Sequence, residues 1–228
     1  MQQLTTISLI ALTVVAYLIF RALYMRYSHP LINIVVLGAA VIISALLILK
    51  IPYEAYVPAK NIMIFMLGPA TVALAVPLYT NRHLLVKYGA IIFASVAAGA
   101  VITMVLAGVI SKILGMPKQI VISMMPKGVT IPFAVEISRI YGGEPAITIV
   151  FVVATGTLGG TIGLTLLTWC GITNPVARGL AMGTAAHAQG TAMAFMEGYE
   201  QGAMAGLAMT LAGIITAAAA PFLVPLFF

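Results

Sequence analysis

The stretch QIVISMMPKGVTIPFAVEISRI, Gln119–Ile140, decides how this chain is read. It is apolar enough to enter a membrane, yet it holds Pro126, Lys127, Gly128, Pro132 and Glu136. A proline removes a backbone donor and pushes the residue before it out of the helical region. Glycine opens backbone shapes closed to other residues. An uninterrupted helix is not built this way. The segment reads as a discontinuous span or a re-entrant hairpin, and either form leaves free backbone groups and an ammonium inside an apolar layer.

Working outward, the flanking segments are long and plain. Tyr88–Leu114 is rich in Ala, Gly and Val and is long enough to span with tilt. Ala146–Trp169 carries Gly156, Gly159, Gly160 and Gly163, small residues at spacings that let helix backbones approach closely. Beyond it, VARGLAMGTAAHAQGTAMAF, Val176–Phe195, is short, rich in small residues, and carries His187 and Gln189. Ala203–Phe227 is an Ala-rich span ending near Pro221 and Pro225. Toward the N-terminus, Leu4–Leu23 and Leu31–Leu49 read as simple spans, the first as a retained helix and not a signal peptide. Ile62–Tyr79 has Gly68-Pro69 near its middle, where a break is expected. A span needs about 20 mostly apolar residues.

These segments predict an all-α polytopic membrane protein of seven to eight membrane segments with discontinuous or re-entrant helices. The whole chain, 1–228, forms a single membrane domain with repeat-like halves at about 31–114 and 118–227. LGPATVALAVP (Leu67–Pro77) sits in the first half as GTAAHAQGTA (Gly183–Ala192) sits in the second. Interrupted segments in matching positions point to a transporter built from inverted repeats.

Composition agrees. Of 228 residues, 62% are hydrophobic and 7% charged, against about 45–50% and about 25% in soluble domains. The net charge is +6, as loops with excess Lys and Arg produce. It would also favour anions. No basic run or aromatic-interleaved patch suggests nucleic acid. If every segment spans, Arg21, Arg26, Arg82, Lys87 and Arg139 fall on one side, and Lys50, Lys60, Lys112, Lys118 and Arg178 on the other. The balance leaves orientation open. Cys170 stands alone, so no internal disulfide or multi-cysteine metal site forms. There is no Asp, and GxSxG, HExxH and P-loop motifs are missing. An enzyme is not expected, nor a cofactor or a metal.

A charge at the centre of a bilayer costs at least about 2.5 kcal/mol, so polar residues there are functional candidates. Lys127, in its Pro-Lys-Gly loop, can present an ammonium and free N–H groups to a carboxylate, or snorkel to the interface. Glu136 and Arg139, three residues apart, form either a structural ion pair or a coupling site for a proton or cation. His187 and Gln189, flanked by Thr184 and Thr191, bind a hydroxy acid or clamp two helices together.

LGPATVALAVPLY (Leu67–Tyr79), MMPKGVTIPFAVEISRIYGGEPAIT (Met124–Thr148) and RGLAMGTAAHAQGTAMAFMEGYEQGAMAGLAMTLAGIIT (Arg178–Thr216) resemble the LrgB/CidB family, which includes the YohK proteins and the plastid glycolate/glycerate translocator. The resemblance covers the chain from about residue 30. It implies a multi-pass protein of the cell (inner or plasma) membrane, often working beside a small LrgA/CidA-type membrane protein. It implies one of two functions. One is a secondary carrier of small monocarboxylates such as glycolate, glycerate or pyruvate. The other is an antiholin-like regulator of murein hydrolase export and cell lysis. For a carrier, Lys127 and Gly128 would face the carboxylate. Thr130, His187, Gln189 and Thr191 would read hydroxyl or keto groups, and Pro69 and Thr71 would complete the opposite wall. Where the family usually has Lys-Ser-Val-Thr, this chain has Lys127-Gly128-Val129-Thr130, so a seryl hydroxyl is lost. Glycine-rich faces also suggest a homodimer.

Overall fold

The computed structural model describes residues 2–27, 34–66, 69, 72, 75–80 and 82–228, and every regular element among them is helical. The chain divides into two compact units, Met1–Ala73 and Leu74–Phe228. Among the described residues four helices are long and apolar enough to cross a membrane: Gln3–Tyr27, Val86–Ile113, Pro145–Trp169 and Tyr199–Leu223. A shorter apolar helix covers Val36–Ile48. Large apolar side chains point outward, including Ile113 (78% exposed), Leu158 (63%) and Trp169 (79%). Water would not tolerate so continuous an apolar surface, whereas lipid covers it without penalty.

The first unit holds α1 (Gln2–Tyr27), α2 (Ile34–Ile48) and α3 (Tyr53–Phe65). The Thr13 and Tyr56 hydroxyls, 3.1 Å apart, join α1 to α3. The break expected at Gly68-Pro69 falls on a stretch in which Gly68, Ala70 and Thr71 lie outside the described residues; Pro69 is exposed.

The second unit holds α4 (Ala75–Thr80), α5 (Arg82–Ile113), α6 (Lys118–Met124), α7 (Ile131–Ile140), α8 (Pro145–Trp169), α9 (Pro175–Glu197) and α10 (Tyr199–Leu223), then a 3₁₀ turn at Pro225–Phe227. Local chemistry sets these boundaries. α5 and α8 stop at Gly115 (φ 68) and Gly171 (φ 72), left-handed positions that glycine adopts without strain. The N–H of Met116 then closes back onto Ser111 O at 3.0 Å, and that of Ile172 onto Leu167 O at 2.9 Å. Prolines at the first turn start α7, α8 and α9. The Asn174 side chain caps α9 by accepting from the Ala177 N–H at 3.0 Å. Gly198 alone separates α9 from α10, so the last span begins at Tyr199 and not, as the composition suggested, at Ala203.

α10 is the centre of this unit. Of its most apolar window 61% is buried, against 11–28% for the other three long helices. Residues Ala203 to Met209 are buried all round, the state of a helix enclosed by others.

Among the described residues, the fifth and seventh segments are interrupted. α6 and α7 fold against each other through the loop Met125–Thr130. Ile122, Met125 and Ile137 share one apolar cluster. Ser123 and Ser138 meet at the Gly143 corner, where a Cβ would sit 2.9 Å from Ser123 Oγ. The Glu144 N–H donates to Ser123 Oγ at 2.7 Å, and Thr148 to Ser138 Oγ at 2.7 Å, pinning this fold-back to the start of α8. In α9 the helix breaks at His187, with φ 41 and ψ −127, and its two legs fold together. Met182 and Ala194 share a cluster with Ala205 of α10. A Cβ at Gly190 would strike the Met182 carbonyl. The glycines of α8 face this element. Gly156 lies against His187 and Gln189, Gly159 against Ala186, and Gly163 against Met182. That face is filled within the chain and offers no surface to a second copy.

Candidate functional site

The two fold-backs meet tip to tip. Gly128, in the α6–α7 loop, lies so close to α9 that a Cβ there would be 3.9 Å from the Thr184 carbonyl oxygen and 2.9 Å from Thr103 Cγ2 of α5. Around this crossing is a cavity of about 10 Å³, lined among others by Thr103, Pro126, Gly128, Thr184 and Thr216. That volume is about one water molecule. No three-carbon solute fits, so the tips are closed on each other in this structure.

Donors without acceptors gather here. Among the described residues, the N–H groups of Gly128 and Thr130 donate to nothing. Thr130 stands at the N-cap of α7 without making the usual side-chain cap bond, so the N-terminal dipole of α7 is also unanswered. Thr184 is buried (8% exposed), lines the cavity, and its hydroxyl has no partner. A buried polar group left unpaired costs about 1–3 kcal/mol, so such a group needs a physical reason. Thr103 keeps its own bond, donating to Gly99 O at 2.7 Å.

The residues singled out in the sequence divide into three groups. Pro126, Gly128 and Thr130 form the tip. Lys127, half-buried between Pro126 and Gly128, forms no ion pair among the described residues. Pro132 starts α7 immediately behind it. His187, Gln189 and Thr191 sit on the other face of the α9 break. His187 is 4% exposed, and its Nε2 is 3.0 Å from the Val152 carbonyl oxygen. A carbonyl only accepts, so Nε2 carries the proton, and the imidazole clamps α9 to α8. The Thr191 hydroxyl donates to His187 O at 2.8 Å. Gln189 is half-buried against Gly156 and Gly160. Glu136 and Arg139 are a surface pair at 2.7 Å, 54% and 68% exposed. The opposite wall of the cavity comes from α5 and α10. Of the pair expected there, Thr71 lies outside the described residues, and Pro69 belongs to the first unit.

Three contributors went unread. Thr103 and Thr216 are ordinary hydroxyl residues in long apolar spans and carry no pattern. Arg178, counted as a loop charge, is 7% exposed and holds Glu197 through two hydrogen bonds, one of 2.9 Å. It also donates to Ile172 O at 2.7 Å and Leu164 O at 3.1 Å. The available signal was a single opposite charge at each end of one short apolar segment.

Comparison with known proteins gives the kinship. The holin-like protein CidB of Staphylococcus epidermidis is 34% identical over 227 residues, covering 100% of this chain and 99% of its own. The CidB of Staphylococcus aureus is 33% identical over 220 residues, 96% of each chain. The Bacillus subtilis protein YwbG is 38% identical over 212 residues, 93% of this chain and 94% of its own. No solved structure matches. The LrgB-like family model matches residues 13–226. With four membrane-crossing helices and this match, the chain is a multi-pass protein of the cell membrane and belongs to the LrgB-like family.

Proposed function

We propose that this protein is a secondary carrier of a small monocarboxylate, of the glycolate, glycerate or pyruvate kind, with its site where the two fold-backs meet. In this reading α6–α7 and α9 are re-entrant hairpins that enter from opposite membrane faces and touch at mid-depth. The observation that carries it is the crossing itself. Two helix breaks meet at a small cavity lined by the unpartnered Thr184 hydroxyl and by Gly128, with the unpartnered N–H groups of Gly128 and Thr130 in the same loop. Irregular backbone at membrane depth is tolerated where it lines a cavity, and half-helix N-termini facing a carboxylate are a recurrent carrier device. Lys127 adds an ammonium beside the tip. The cavity, at about 10 Å³, is an occluded state, and the tips part to admit solute from one side or the other.

A second reading has its own support. The CidB relatives are named holin-like and match over essentially the whole chain. On that reading the protein regulates a holin-like event together with an LrgA/CidA-type partner. One experiment separates the two. Purified protein in liposomes is given labelled glycolate, glycerate and pyruvate, with and without a pH gradient, alone and with the partner. Saturable uptake lost in Lys127→Gln establishes the carrier. Partner-dependent release of entrapped macromolecules, with no saturable uptake, establishes the holin-like role.

A further inference from the structure

A groove of the second unit lies at the opposite end from the α9 ion pair and takes no part in the site above. It has a volume of about 280 Å³ and is lined by Lys118, Ile122, Tyr141, Val224, Pro225 and Phe228. We propose that it is a binding site for an acidic phospholipid at one membrane face. Lys118 lines it, and a second ammonium, Lys112, lies near the ring of Phe228, another of its lining residues. Lys118 Nζ lies 4.8 Å from the Phe228 ring and Lys112 Nζ 5.8 Å from the same ring. Among the described residues no carboxylate pairs with either lysine. Two like charges beside one ring, with no carboxylate paired to them among the described residues, attract an anion.

The surroundings specify what kind of anion. Lys112 stands in the last turn of α5, at the end of a membrane-length helix, so the groove opens at the level of lipid headgroups. Its other walls, Ile122, Val224 and Pro225, are apolar. On the adjoining surface Ile113, Leu114 and Leu226 are 78%, 65% and 77% exposed. A free inorganic anion gains nothing from these apolar walls. A phospholipid uses both, its phosphate on the two lysines with the Tyr141 hydroxyl in reach, and its acyl chain along Leu114 and Leu226. Basic pockets between helices are known sites for acidic headgroups, and a groove this size is near the lower limit for small-ligand pockets of about 300 Å³.

The test uses the full chain in nanodiscs of phosphatidylcholine alone or with a minor fraction of phosphatidylglycerol. The expected result is a rise of several degrees in the thermal midpoint with phosphatidylglycerol, and one retained acidic lipid per chain by native mass spectrometry. Both are lost in Lys112→Gln/Lys118→Gln and kept in the control Lys50→Gln/Lys60→Gln, which removes the same charge elsewhere. Equal responses in the two double variants would overturn the site in favour of a general charge effect. Reproduction of the shift by inorganic phosphate in phosphatidylcholine discs would overturn the lipid as occupant. Tyr141→Phe, a milder change, weakens retention without affecting assembly.

Discussion

Arg178 and Glu197 stand at the two ends of one helical element, 19 residues apart, and their side chains touch at 2.5 Å. In a straight α-helix 19 residues cover about 28 Å, several times the reach of the two side chains. The contact therefore requires α9 to fold back at His187. It also closes the open end of the fold-back, while the tip points at Gly128. Arg178 reaches further, to the carbonyls of Leu164 and Ile172, so one guanidinium ties both legs of α9 to the end of α8.

Removing one partner is expected to cost far more than removing both. Glu197→Ala leaves Arg178, 8% exposed in its side chain, as an unpaired buried charge, a loss of about 3–5 kcal/mol. The figure falls toward the lower end because Glu197 itself is 27% exposed. Arg178→Met/Glu197→Leu removes both charges and keeps the volume, so it recovers most of that loss. Thermal unfolding of the three proteins in one detergent measures this. A double variant no more stable than Glu197→Ala would mean that the pair is not what closes the fold-back.

The backbone at His187 carries its own prediction. A φ of 41 at a residue with a Cβ costs about 1–3 kcal/mol, held here by the bond to Val152. His187→Gly and His187→Ala lose that bond equally, so their difference reports the backbone strain set against glycine's greater unfolded-chain entropy. Glycine enters this region without steric penalty. His187→Gly is expected to be more stable than His187→Ala by about 1 kcal/mol. The opposite order, by chemical denaturation, would place the reversal elsewhere in α9.

How much of this was legible beforehand follows from the range of each interaction. Breaks at Pro126-Lys127-Gly128 and around His187 are local, set by residues whose backbone or burial cannot suit a plain span. The starts of α7, α8 and α9 were local too, since proline announces them. What the sequence hid was direction. Whether a broken segment crosses or returns depends on what its two ends touch, and Arg178–Glu197 is a contact over 19 positions. The same holds for the cavity. Thr184 was visible beside His187, but the break turns their side chains to different neighbours, so the histidine became a clamp and the threonine a wall. Thr103 and Thr216 join it from α5 and α10, chosen by packing alone.

The glycine at position 128 and the threonine at 103 form a matched pair. A Cβ at 128 would sit 2.9 Å from Thr103 Cγ2, a distance at which one of them must move. Gly128→Ser alone is expected to destabilise by about 1–3 kcal/mol through overpacking. Thr103→Ser deletes the offending methyl and keeps the hydroxyl bonded to Gly99 O. Combined with Gly128→Ser it restores stability and returns a seryl hydroxyl to the cavity. A double-mutant cycle read by thermal unfolding gives the coupling. Additive losses would show that the crossing has room the geometry denies it. On the carrier reading, the restored protein also prefers hydroxylated over keto substrates relative to the starting chain, which competition uptake measures.

Thr184 sets stability against function. Its enclosed hydroxyl has no partner, and valine has the same shape without it. Thr184→Val therefore removes an unpaired buried polar group, whose cost is about 1–3 kcal/mol, and opens no cavity. The variant is expected to unfold at a higher temperature than the starting protein. On the carrier reading it takes up solute more slowly, because the group left waiting in the occluded state is the one that meets the solute when the tips part. Stabilisation bought at the expense of activity is the usual mark of a site residue. A Thr184→Val protein that is less stable would mean the hydroxyl is already satisfied by water. One that is more stable yet transports normally would move the solute path away from α9 and onto the Lys127 side of the crossing.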